Sequence, residues 1–168
     1  MNAILFPGQG VQTVGMMDSL FVSSKRAKEL FVKASEVIDV DLVELVSVDS
    51  KNLIDLTEYS QPIILASSIA LAEHHTDKAN FNFCAGLSLG EYSALVYSEC
   101  LDFLDAIKLV HIRGQLMQNS VAPDEAKMLV IMGMNHDDIN SLINELSLDG
   151  CKVDLSCLLY TSDAADDG

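Results

Sequence analysis

The sequence predicts an α/β fold with a parallel sheet at its core. Three observations lead there. Short apolar runs that read as strands alternate with longer stretches of helical periodicity. A turn bounded by glycines, Gly86-Leu87-Ser88-Leu89-Gly90, joins one such run to a helix. After Asn119-Ser120-Val121-Ala122-Pro123 the texture changes, and a β-α-β pattern begins that reads as the opening of a smaller subdomain.

Taken in order, Asn2 to Phe6 suits a short buried strand, and Pro7-Gly8-Gln9-Gly10 ends it in a tight loop. Ser24 to Ile38 carries Ala27, Leu30, Phe31, Ala34, Val37 and Ile38 at i, i+3, i+4 spacing, with Lys25, Lys28, Lys33 and Glu36 on other faces. That spacing predicts an amphipathic helix covering a core. At Ser60-Gln61-Pro62 a second helix is expected to start, with Ser60 as cap and Pro62 in the first turn, where its missing N–H costs nothing. Ile63 to Ala72 is apolar nearly all round, so this helix is predicted to be buried.

Phe81 to Ala85 is the next strand, followed by the glycine turn and a helix from Glu91. Asp102 is placed to cap a further helix that carries Phe103, Ala106, Ile107 and Val110 along one stripe and reaches about Gln118. Met128 to Met134 and Cys151 to Leu155 are predicted strands flanking a helix over Asp137 to Leu146. Residues 1–123 are thus expected to form part of the α/β core and 124–156 the start of the subdomain. The sequence contains no internal repeat.

The last dozen residues, Cys157 to Gly168, have a different character. Cys157 to Asp166 can be back-translated into a string that looks like the transposase adapter used in preparing sequencing libraries, so residues 157–168 are expected to be a non-native tail and are left out of the fold.

Composition excludes several classes of function. A formal net charge of −15 repels phosphate backbones and anionic headgroups, which argues against nucleic acid and membrane surfaces as partners. The N-terminus lacks a basic segment, and the longest apolar run, Pro62 to Ala72, falls well short of the ~20 residues that span a bilayer. A cytoplasmic protein is expected. Cys84, Cys100, Cys151 and Cys157 show no ligand spacing and are expected to be buried, reduced thiols rather than disulfides or metal ligands.

Gly-x-Ser-x-Gly at the end of a strand is the nucleophile-elbow pattern, in which a sharp turn lifts the serine hydroxyl above the sheet. Ser88 can then attack a carbonyl while the Leu89 backbone N–H, at the positive end of the following helix, holds the oxyanion. The same turn also serves as a plain connection between strand and helix, so the pattern alone leaves both possibilities open.

Further segments narrow the choice. "FPGQG" at Phe6 to Gly10, "SQP" at Ser60 to Pro62, "GLSLG" at Gly86 to Gly90 and "RGQLMQ" at Arg113 to Gln118 occur in an order that closely resembles the malonyl-CoA:acyl carrier protein transacylase family. The resemblance runs from Ile4 to about Leu155. It implies the N-terminal part of an α/β-hydrolase-like parallel-sheet core with the beginning of an inserted ferredoxin-like subdomain. It also implies transfer of malonyl from malonyl-CoA to the phosphopantetheine thiol of acyl carrier protein through a Ser88 acyl-enzyme, in fatty acid biosynthesis, with no cofactor and no metal. On that resemblance Gln9 supplies the second oxyanion-hole N–H beside Leu89, and Arg113 grips the free malonyl carboxylate, as a planar guanidinium can with two parallel hydrogen bonds. Acetyl-CoA would leave a buried Arg113 unpaired, which would reject it. Histidine usually stands where this chain has Leu87, so the departure bears on fine acyl selectivity.

A serine nucleophile needs a base, and the chain offers His74, His75, His111 and His136. The first two read as the C-terminal residues of the buried helix, His111 points to a different side of its helix from Arg113, and His136 begins a turn. None suits the role, and the resemblance puts the catalytic histidine in a later segment that this sequence does not contain. The fragment is therefore expected to be inactive and, with an open sheet edge, poorly stable alone. Glu91 reads as an acid favoured by the helix dipole, and Gln61 and Gln118 as structural or as supporting the site residues. An esterase built on the same elbow, or a non-catalytic module docking carrier protein, are the rival functions. The start at Met1, just before the first strand, favours a free-standing enzyme over part of a synthase.

Overall fold

Two parallel strands and seven helices make up the described part of the chain. The computed structural model describes residues 1–75, 80–120, 129–150 and 152–155. The strands are β1 (Ala3–Phe6) and β2 (Phe83–Gly86). The helices are α1 (Asp18–Ser23), α2 (Lys25–Ile38), α3 (Leu42–Ser47), α4 (Thr57–His75), α5 (Gly90–Tyr97), α6 (Phe103–Gln118) and α7 (His136–Leu148). β1 pairs with β2 in parallel register, Ala3 opposite Phe83 and Phe6 opposite Gly86. The chain divides into two compact units, Met1–Ala126 and Lys127–Gly168.

In the first unit α2 forms as the spacing predicts. Ser24 caps it by accepting the Ala27 N–H, Ala27, Leu30, Phe31 and Ala34 are buried, and Asp39 closes it in the left-handed region. Asp41 caps α3 and Asp102 caps α6 in the same way, each carboxylate accepting backbone N–H groups of the first turn. α4 is the centre of the core: every residue from Ser60 to Ala70 is buried, and α2 and α6 pack along it. Arg26 on α2 reaches Glu73 on α4 at 3.0 Å, and that hydrogen bond raises the guanidinium's pKa. No helix among the described residues is long and apolar enough to cross a membrane.

The start of α4 corrects the sequence reading. Ser60 is not the cap, because the helix begins at Thr57, one turn earlier, and Pro62 therefore lies inside it. A proline there removes the hydrogen bond that the Glu58 carbonyl would otherwise accept. The vacancy is filled from α6. His111 Nδ1 lies 2.9 Å from the Glu58 oxygen, and since a carbonyl only accepts, Nδ1 carries the proton; Nε2 then faces the Gln115 side-chain amide at 3.1 Å. The Thr57 N–H is likewise met from α6, by Gln118 Oε1 at 3.1 Å. Gly114 lets the two helices come this close, since a Cβ on it would stand 2.5 Å from the Thr57 oxygen.

Two further expectations change. Cys100 is exposed, in the turn after α5, and Cys84 is only half-buried; both are free thiols. In the second unit α7 forms as expected, capped by Asn135, but residues 129–134 and 152–155 are not strands. Leu129, Val130 and Met132 are exposed, and among the described residues nothing pairs with these segments. An apolar run becomes a strand only when a neighbour accepts its hydrogen bonds. Met128, Cys151 and the 157–168 tail lie outside the described residues.

Candidate active site

The parallel register sets the site. Because Phe6 and Gly86 are partners, the loop after β1 and the turn after β2 leave the sheet at the same level, at the carboxyl ends of the strands. That is where open parallel sheets place their ligand crevices. The Leu87 N–H continues the ladder by donating to the Phe6 oxygen at 3.1 Å.

Ser88 then turns sharply. Its φ is +52°, in the left-handed region that costs a residue with a side chain on the order of 1 kcal/mol, and its hydroxyl is exposed. Gly90 N–H closes the turn onto the Leu87 oxygen at 2.8 Å and α5 begins. Glycine is required on both sides. A Cβ on Gly86 would stand 1.9 Å from the Gly90 carbonyl carbon, and one on Gly90 would stand 2.3 Å from the Phe6 oxygen. Among the described residues the backbone N–H groups of Gln9 and Leu89 make no hydrogen bond. Leu89 itself is 1% exposed, so its N–H is held by a side chain anchored in the core.

Arg113 reaches this turn from α6. Its Nη2 donates to Ser88 Oγ at 3.0 Å, Nη1 donates to Gln61 Oε1 at 2.6 Å, and the guanidinium lies over the Tyr92 ring, 5.8 Å from its centroid. Arg113 is half-buried, and Gln61 keeps it paired on one edge whether or not anything else binds. The expectation of a buried guanidinium with no partner is therefore corrected.

The sequence reading has Gln61 as structural or as supporting the site, and does not single out Tyr92. Gln61 is fully buried on α4 with both ends of its amide engaged, Oε1 by Arg113 and Nε2 by the Met117 sulfur at 3.4 Å. A signal was present: a glutamine within an otherwise apolar buried helix must find a polar partner. Tyr92, one turn after Ser88, offers the guanidinium a face, and the four-residue spacing is its only trace in the sequence.

The histidines are exposed or have other partners. His74 and His75 end α4 exposed, His111 is held by Glu58 and Gln115, and in the second unit His136 faces Asn140 at 3.1 Å. No histidine among the described residues hydrogen-bonds Ser88. Glu91 sits exposed in the first turn of α5. No group of three or more His, Cys, Asp or Glu among the described residues is placed to hold a metal ion.

In sum of chemistry, the turn presents a strained, exposed hydroxyl, two amide donors free to meet a negative oxygen, and a fixed cation beside them. Residues 4–142 match the family described as the acyl transferase domain. A malonyl CoA-acyl carrier protein transacylase of Staphylococcus aureus (strain MSSA476) is 38% identical over 148 residues, covering 88% of this chain and 48% of the relative. The crystal structure of a malonyl CoA-acyl carrier protein transacylase from Clostridium perfringens superposes with a TM-score of 0.75 at 35% identity, covering 87% of this chain and 46% of that one. A malonyl-transacylase in complex with its type II polyketide synthase acyl carrier protein gives a TM-score of 0.78 at 36% identity, with 88% and 48% covered. The chain spans about half the length of the curated relatives it matches.

Proposed function

The chain belongs to the acyl transferase domain family, and from that premise we propose that the full-length protein moves malonyl from malonyl-CoA to the phosphopantetheine thiol of acyl carrier protein in cytoplasmic fatty acid biosynthesis. The observation that carries the proposal is the 3.0 Å contact between Arg113 and Ser88 Oγ at the apex of the elbow. It puts a cation suited to a carboxylate within one short acyl chain of a nucleophile.

Ser88 Oγ attacks the thioester carbonyl, and its proton leaves to a base as the tetrahedral oxygen takes the negative charge. The N–H groups of Leu89 and Gln9 receive that oxygen. Collapse expels the coenzyme A thiolate, which takes up the proton, and the carrier-protein thiol repeats the sequence in reverse. Thioester exchange moves no electrons between oxidation states, so the reaction calls for no redox cofactor. A guanidinium offers donors and no acceptor, so Arg113 cannot be the base. We assign that role to a histidine in the remainder of the full-length protein, which is also taken to supply the strands that complete an α/β-hydrolase-like core. There, residues 1–123 form part of the core and 124–156 begin a ferredoxin-like subdomain whose segments gain partner strands, while residues 157–168 of the present sequence are a tail foreign to it.

Arg113 gives the proposal its test. In the full-length protein, mass spectrometry after brief exposure to malonyl-CoA is expected to show one malonyl group on the peptide containing Ser88. Arg113→Ala is expected to lower kcat/KM for malonyl-CoA about tenfold to a hundredfold, the worth of a charge-assisted hydrogen bond, with a much smaller change for acetyl-CoA. The loss is bounded at that level because Gln61 keeps the wild-type guanidinium paired when acetyl leaves its other edge empty. Equal losses for both substrates would remove Arg113 from acyl selection. Hydrolysis of neutral esters without malonyl adduct would favour an esterase, and no adduct at all a docking module.

A further inference from the structure

The loop that carries the Gln9 N–H leaves β1 without regular structure of its own, yet it must hold a donor to within a fraction of an ångström. Its base is fixed by the Leu87–Phe6 hydrogen bond and by Gly8, whose missing side chain lets it sit against the Leu87 oxygen. Its outer part is tied by two glutamines. Gln12 uses both ends of its amide: Oε1 accepts the Gly10 N–H at 2.9 Å, and Nε2 donates to Asp55 Oδ1 at 2.8 Å. Gln9 Nε2 donates to Thr57 Oγ1 at 3.2 Å. Asp55 lies just before α4 and Thr57 is its first residue, itself held by Gln118.

We propose that Gln12 and Asp55 are positioning residues for acyl transfer, which fix the Gln9 N–H against that of Leu89 so that the oxyanion meets two donors at once. The inference rests on the malonyl-transfer reading of Ser88. Gly10, one residue after Gln9, is the point where Gln12 grips the loop, and its φ of +108° gives that point no stiffness of its own. Without the Gln12 strap, the donor can drift by the ångström or so that costs a catalytic group about a hundredfold.

The chemistry of the strap allows a test by exchange. Gln12→Glu keeps an oxygen for the Gly10 N–H but sets a second carboxylate against Asp55. Asp55→Asn keeps an oxygen for Gln12. The double variant Gln12→Glu with Asp55→Asn restores one donor and one acceptor with their direction reversed. In the full-length protein, Gln12→Glu is expected to slow single-turnover malonylation of Ser88 by about tenfold to a hundredfold with KM nearly unchanged. Asp55→Asn should stay within about twofold of wild type, and the double variant should recover most of the loss. A purely structural role would lower Tm and leave the rate of the folded fraction unchanged, so thermal unfolding is measured on each variant. Should Gln12→Glu not fold, Asp55→Ala removes the acceptor without a charge clash and is expected to show the same loss in rate.

Wild-type malonylation combined with an unchanged rate in Gln12→Glu or Asp55→Ala overturns the inference alone, as does a double variant no faster than Gln12→Glu. A wild type that takes no malonyl group on Ser88 overturns the function proposal, and this inference with it.

Discussion

Ser88→Ala is expected to abolish the malonyl adduct and to lower transfer to carrier protein on the order of 10⁶-fold, the scale at which removing the nucleophile of an acyl-transfer site operates. Stability should hardly change. The hydroxyl is exposed, its hydrogen bond is to a half-buried arginine, and alanine meets the same left-handed backbone that serine already occupies. The residual rate would report what the amide donors and substrate binding contribute without covalent chemistry. Rapid-quench assays with labelled malonyl-CoA measure both quantities. An adduct that persisted in the variant would place the nucleophile elsewhere and separate the elbow from the chemistry.

The second large effect concerns backbone. Gly86→Ala would drive a methyl group to 1.9 Å from the Gly90 carbonyl carbon and 2.5 Å from the Glu91 nitrogen, both main-chain atoms with no rotamer to escape into. Either β2 must part from α5 or the turn must open. A cost of about 3–5 kcal/mol is expected, which in a domain of this size lowers Tm by roughly 10 °C. Since the displaced atoms are those that carry Ser88, acylation should be lost even in the folded fraction. Differential scanning calorimetry beside the adduct assay checks both. A variant with wild-type Tm and full acylation would mean that the turn adopts a different geometry in solution.

How far the sequence alone leads depends on whether a feature is local. α2 and α6 were legible because their apolar stripes, with the Asp102 cap of α6, lie within a few turns of each other in the chain. So was the elbow, where glycine, serine and glycine are needed by one tight bend. The start of α4 was not. Proline after serine and glutamine reads as a first turn, and only the distant His111, which meets the carbonyl that Pro62 abandons, and Gln118, which meets the Thr57 N–H, make the earlier start affordable. The two strands expected in the second unit failed for the opposite reason. Their apolar residues carry the right pattern, but pattern sets only the propensity, and a strand exists by virtue of its neighbour. At the site, Arg113 was legible from a motif, whereas its restraint by Gln61 and Tyr92 depends on how α4, α5 and α6 converge, which no spacing along the chain records.

The pairing of Phe6 with Gly86 makes the sheet a ruler. Each residue advances a strand by about 3.3 Å, slightly more than the length of a hydrogen bond. One residue gained or lost in either strand would therefore shift the Gln9 and Leu89 amides a full step against each other, which would undo the shared oxyanion contact proposed for them. The exposed side chains Ala3, Leu5, Phe83 and Ala85 can be exchanged with modest consequence, but the lengths of the strands are counted.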